Sequence, residues 1–133
     1  MRASPAWLAH TRPDLSCGIN LAAQFTERTY GPTATREVNA LVGRALKGRN
    51  LVLTYPLLDT ASLRVRSYAD ASYATNADGS SQIGYLVLVC GVGGHAHIRS
   101  FTSRKCRRVV RSIMAGEVYA FSAAFDEAFC DSL

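Results

Sequence analysis

The sequence contains no C-x-x-C pair, so its four cysteines, Cys17, Cys90, Cys106 and Cys130, form neither a zinc ribbon nor a dithiol redox motif. They are expected to be reduced and mostly buried. It has no G-x-G-x-x-G or G-K-[ST] loop and no G-x-S-x-G elbow, which argues against a nucleotide cradle of those kinds and against an α/β-hydrolase nucleophile. No apolar run approaches the roughly 18 residues of a spanning helix, and the start, M-R-A-S-P-A-W-L-A-H-T-R-P-D, lacks the apolar block of a secretory signal. An intracellular chain without a membrane partner is therefore expected. Charge is sparse, at 19%, and acid is sparser than base: 10 Asp and Glu against 15 Lys and Arg.

What is present suits one modest domain, or a piece of a larger one: 133 residues, 48% hydrophobic, with ten glycines spread along the chain. That apolar content separates it from disordered and fibrous classes. No internal repeat appears, and the clearest change of texture falls between Asn50 and Ala61. We place the boundary there, dividing residues 1–58 from 59–133.

Before the boundary the spacing is helical. Leu15, Ile19, Ala22, Ala23 and Phe25 predict one helix, and Val38, Leu41, Val42, Ala45 and Leu46 a second. The second opens after Gly31-Pro32, with Thr33 or Thr35 as candidate N-cap, and stops at Gly48. After it, L-V-L-T-Y, L-R-V-R-S-Y-A-D-A-S-Y, I-G-Y-L-V-L-V-C and H-A-H-I-R-S-F read as strands. Ile83 to Cys90 and Ala96 to Thr102, joined through a glycine-rich connection, predict a hairpin. His95 and His97 lack a third ligand nearby and read as ordinary sheet residues. From Val109 to Phe129 the spacing is helical again, with Ile113, Ala120, Phe121, Ala124, Phe125 and Ala128 as the stripe expected to face the sheet.

Two carboxylates sit oddly in this pattern. Glu117 lies four residues from both Ile113 and Phe121, on the predicted apolar stripe, where a carboxylate requires a partner or a cation. Gly116 beside it would admit a close approach by backbone or ligand. Asp70 stands among strand formers, where aspartate is disfavoured. Asp78, before Gly79, reads as a turn residue. Between Asp78 and Glu117 there is no acid, whereas Arg99, Arg104, Lys105, Arg107, Arg108 and Arg111 crowd the end of that interval. Thirteen of the fifteen basic residues are arginine, which suits forked contacts with phosphate. Two acids flanking a basic segment are the ingredients of a divalent-metal site acting on phosphates. A strand-end acid, an edge-of-helix acid and a solvated basic loop would leave the same residues without such a role.

Six stretches, in order, resemble the Pol polyprotein of copia-type LTR retrotransposons at the passage from reverse transcriptase into ribonuclease H. They are W-L-A-H-T-R-P-D-L (7–15), A-L-V-G-R-A-L-K-G (40–48), S-Y-A-D-A-S-Y (67–73), S-S-Q-I-G-Y-L-V (80–87), S-F-T-S-R-K (100–105) and R-S-I-M-A-G-E-V-Y-A (111–120). The resemblance implies an α/β, ribonuclease H-like fold with a mixed sheet, incomplete here, preceded by a helical segment from the reverse transcriptase connection. It implies Asp70 and Glu117 as catalytic Mg²⁺ ligands in a two-metal site, an RNA–DNA hybrid as substrate, and phosphate contacts from Arg104, Lys105, Arg107, Arg108 and Arg111. The rest of the polyprotein would be the protein partner, a cytoplasmic particle or the nucleus the location, and no small-molecule cofactor is implied. The family's later metal-ligand aspartate, on a strand after the Glu117 helix, has no counterpart. Asp131-Ser132 resembles its "D-S" but follows Glu117 too soon. The chain is thus expected to be a fragment with weak or no hydrolytic activity of its own. A non-catalytic basic nucleic-acid-binding fragment and the remnant of a dead element are the alternatives.

Overall fold

In a computed structural model, which describes residues 6–25, 31–76 and 78–130, the chain divides into two compact units, Met1–Val52 and Leu53–Leu133. The first is helical. A 3-10 turn at Ala6–His10 and another at Pro13–Leu15 lead into α1 (Ser16–Ala23), and α2 spans Pro32–Lys47. Leu15, Ile19 and Leu41 form its core, with Leu8, Ala9, Ala22 and Ala45 packed around them. Arg12 grips Asp14 with two bonds of 2.8 and 2.7 Å. The N-cap of α2 is Gly31, with no side-chain cap, rather than a threonine. Pro32 occupies the first turn, where a missing N–H costs nothing, and the Thr35 hydroxyl instead donates back to the Gly31 carbonyl at 3.3 Å. Val42 and Leu46, expected on the apolar stripe of α2, are exposed.

The second unit contains β1 (Arg64–Ser72), β2 (Gln82–Cys90), β3 (Ala96–Lys105) and α3 (Ile113–Cys130). The strands pair in chain order, β1-β2-β3, and every pairing is antiparallel. The mixed sheet that the resemblance implies is therefore not present among the described residues. The predicted β2–β3 hairpin is present, turning through Gly93 and Gly94 at φ +79° and +82°, which a side chain would resist. A register shift at Val87/Leu88 marks an irregularity in this pair. L-V-L-T-Y forms no strand. Pro56 lacks a ladder donor, and residues 55–56 meet β3 at the His97 side chain, with the Tyr55 ring edge-on to His97 at 5.2 Å and the Pro56 main-chain carbonyl against the His97 ring. Of the four free cysteines only Cys106 is buried; Cys90 is half-buried and Cys17 and Cys130 are exposed, contrary to expectation.

The helix–sheet contact also differs from the predicted one. The residues of α3 that are buried are Gly116, Ala120 and Ala124, packed over β1 and β2 with Ile83, Cys106 and Ala71. Ile113, Phe121 and Phe125, expected to face the sheet, are exposed. Apolar residues occupy both sides of this helix, so periodicity alone does not choose between them. The small side is the one that lets the helix axis come close: a Cβ added at Gly116 would lie 3.4 Å from the Ala71 side chain. Ser112 caps the helix, its hydroxyl accepting from the Ala115 N–H at 3.1 Å. No helix among the described residues is long and apolar enough to cross a membrane.

The loop between β1 and β2 is tied by polar bonds. Asn76 and Gly79 close a turn, with the Gly79 N–H donating to the Asn76 carbonyl at 2.8 Å. Asp78 accepts from the Ser80 N–H and hydroxyl and forms an ion pair with Lys105 of β3. The Lys105 ammonium first, and then the two Ser80 bonds, hold the Asp78 carboxyl well below the usual carboxylate range. Asp14 is likewise lowered, chiefly by Arg12.

Two outcomes are expected. Gly116→Ala gains about 0.8–1 kcal/mol of helix propensity without displacing Ala71, whereas Gly116→Leu loses about 1–3 kcal/mol by overpacking; thermal melts of the two variants should move in opposite directions. A carboxyl whose folded pKa lies below its unfolded value stabilises fully above about pH 4, and that contribution is lost as pH falls further. The urea midpoint should therefore drop on acidification from about pH 6 to about pH 3, and Asp78→Asn should drop less.

Candidate metal and nucleic-acid site

The two acids reach the same strand–helix contact from different elements. Asp70 lies on β1 opposite Gly84, and Glu117 is the residue after Gly116 on α3. Each acid is one residue, about 3.8 Å along the Cα trace, from the Ala71–Gly116 approach. Their orientations differ. Ala71 and Ile83 face α3, so strand alternation puts Asp70 on the opposite face, exposed, beside a cross-strand glycine that leaves it uncovered. Its Oδ1 turns along the strand to accept the Ala71 N–H at 2.9 Å. Glu117 is half-buried at the margin of the packed face, because the buried row runs through Gly116, Ala120 and Ala124 and not through Ile113 and Phe121.

The close approach anticipated at Gly116 exists, and what fills it is the methyl group of Ala71. Among the described residues no group of three or more His, Cys, Asp or Glu side chains is placed to hold a metal ion. Asp131 lies outside the described residues.

The basic residues are set by the end of β3 and the turn into α3. Cys106 anchors this stretch: its side chain is buried against Ile83 and Ala120, and its N–H donates to the Ser81 carbonyl at 2.8 Å. With Cys106 fixed, Arg104, Arg107 and Arg108 line one wall of a cleft of about 390 Å³, whose other wall is Tyr119, Ser122 and Asp126 of α3. The Arg108 guanidinium lies 5.4 Å from the centre of the Tyr119 ring, a cation–π contact that presets it. Lys105 also lines the cleft, but its ammonium is engaged by Asp78. Arg111 is exposed and is not part of the lining. Sequence reasoning missed Tyr119 and the Asp78–Lys105 pair. The helical spacing of Tyr119 and Ala123 was the available signal for the first, whereas the second joins residues 27 positions apart and carried none.

Acids and cleft belong to one end of the unit. Across the sheet Ala71 pairs with Ile83 and Ile83 with Arg104, so two strand spacings, roughly 10 Å, separate the backbone beside Asp70 from the first arginine of the cleft. Tyr85, one step further along, reaches α3 through its hydroxyl, 3.4 Å from Glu127 Oε2, and burial raises the pKa of this phenol.

Protein-family models, curated proteins and solved structures were all compared with the chain, and none matches it.

Proposed function

We propose that residues 59–133 are the leading part of a ribonuclease H-type domain from a copia-type retroelement polyprotein, binding an RNA–DNA hybrid and taking part in metal-dependent hydrolysis of its RNA strand. The supporting observation is that Asp70 and Glu117, the two acids of the resemblance, flank one strand–helix contact roughly 10 Å across the sheet from an arginine-lined cleft.

Mg²⁺ is commonly held through one or two carboxylates, with water and substrate phosphate completing the octahedron. Asp70 and Glu117 match that number, but Asp70 faces away from α3 and Glu117 lies on it, so holding one ion would require the two carboxylates to turn toward each other. A two-metal site needs further acids, and among the described residues none joins them. When bound, such an ion polarises the phosphodiester and lowers the pKa of a coordinated water. The protein's own residues supply the rest: Arg104, Arg107 and Arg108 contact phosphates, with Arg108 held in place by Tyr119. The incomplete acid set favours a second reading, in which the unit binds nucleic acid without cleaving it.

Incubation of a labelled RNA–DNA hybrid with Mg²⁺ separates the two. On the first reading, RNA cleavage is measurable and is lost in both Asp70→Asn and Glu117→Gln; cleavage that survives either change removes that residue from the site. On the second, a folded chain binds the hybrid without cleaving it and is indifferent to Mg²⁺. Under both, Arg107→Ala with Arg108→Ala weakens binding and reduces the slope of log K against log salt by about 1.4–1.8, two phosphate contacts' worth. Unchanged salt dependence would exclude the cleft as the binding surface.

A further inference from the structure

The face of α3 turned away from the sheet carries the helix's largest side chains. Met114, Val118, Phe121, Phe125 and Phe129 are each between 53% and 72% exposed, while glycine and alanines fill the sheet-facing side. Phe121 stacks on Phe125 at 6.3 Å between ring centres, and Phe125 on Phe129 at 5.9 Å, making a continuous apolar ridge. The spacing from Met114 to Phe125 is four, three and four residues, which is the rhythm of a two-helix seam. With a phenylalanine surface of about 240 Å² and similar values for the aliphatics, this ridge leaves on the order of 650 Å² exposed, more than the largest apolar patch of a typical monomer.

We propose that this ridge pairs with the same ridge of a second copy of the chain, the two α3 helices running antiparallel about a twofold axis near Phe121 and Ser122. Two observations favour this pairing, the first for a second copy and the second for its orientation. The area from two ridges, roughly 1,300 Å², lies within the range of stable specific interfaces. In the antiparallel arrangement Met114 faces Phe129 and Val118 faces Phe125, so slim side chains meet broad ones and the seam fills evenly.

The test is sedimentation equilibrium of the full chain, with Phe125→Glu and Val118→Glu as variants at exposed positions and far-UV circular dichroism as the check on folding. A dimer is expected for the native chain, with each variant raising the dissociation constant at least ~30-fold while helix content is retained. Register is read by cross-linking. In a chain with Cys17→Ser and Cys130→Ser, Ser122→Cys near the axis should oxidise to a disulfide-linked dimer. A cysteine kept only at Cys130 should not, its two copies lying about 25 Å apart along the helices. A native chain that stays monomeric at ~100 µM overturns the proposal. So does a dimer indifferent to both glutamates, or efficient linkage through Cys130 in place of Ser122→Cys. A monomer whose melting temperature falls on Phe125→Glu puts another part of the same chain over the ridge and overturns it too.

Discussion

The approach of α3 to β1 at Gly116 and Ala71 governs most of what the second unit can do. Once the helix lies that close, its sheet-facing row has room only for glycine and alanine, so Ala120 and Ala124 are buried there with almost no exposed surface. The bulky residues then fall on the outer side by helical geometry, and Glu117 falls at the margin between the two. The same contact fixes where Asp70 lies, because Ala71 cannot face the helix unless its neighbour faces away. A side chain larger than alanine at Gly116 would therefore alter the packing and the spacing of the two acids together.

The basic cleft depends on that contact less directly. Cys106 is buried against Ala120, and its N–H is held by Ser81, so the arginines on either side are fixed to the sheet as well as to the helix. Arg108 spends part of its charge on Tyr119 and Lys105 on Asp78. The cations most open to an incoming phosphate are consequently fewer than the sequence count of the segment.

The strands from Arg64 onward and the hairpin were legible because β-branched and aromatic residues stand between clear turn signals, and α2 because Gly31-Pro32 and Gly48 bracket an amphipathic run. The strand expected in L-V-L-T-Y was misread: local propensity favours it, but a strand needs a partner with free backbone groups, and composition says nothing of that. The face of α3 was misread for a different reason. Hydrophobicity marks both sides of that helix, and side-chain volume, which decides how near a helix may come, is invisible to a polar/apolar pattern. Asp70 and Glu117 stood out as chemical misfits in the sequence, but their orientation depends on strand register and helix rotation, which only tertiary packing supplies. The cap at Gly31 shows the same limit at smaller scale, since two threonines nearby were equally plausible by residue type.

The pairing of each strand with its immediate neighbour in sequence has a kinetic consequence. The β2–β3 hairpin closes over a few residues and the β1–β2 pair over a loop of less than ten, so the sheet is assembled from local encounters at small entropic cost. The meeting of Ala71 with Gly116 spans about 45 residues and gains nothing until the sheet offers a surface to receive the helix. Loop-closure entropy thereby favours pairing of the sheet ahead of the docking of α3. The backbones of Asp70 and Glu117 are brought to one contact only by that docking.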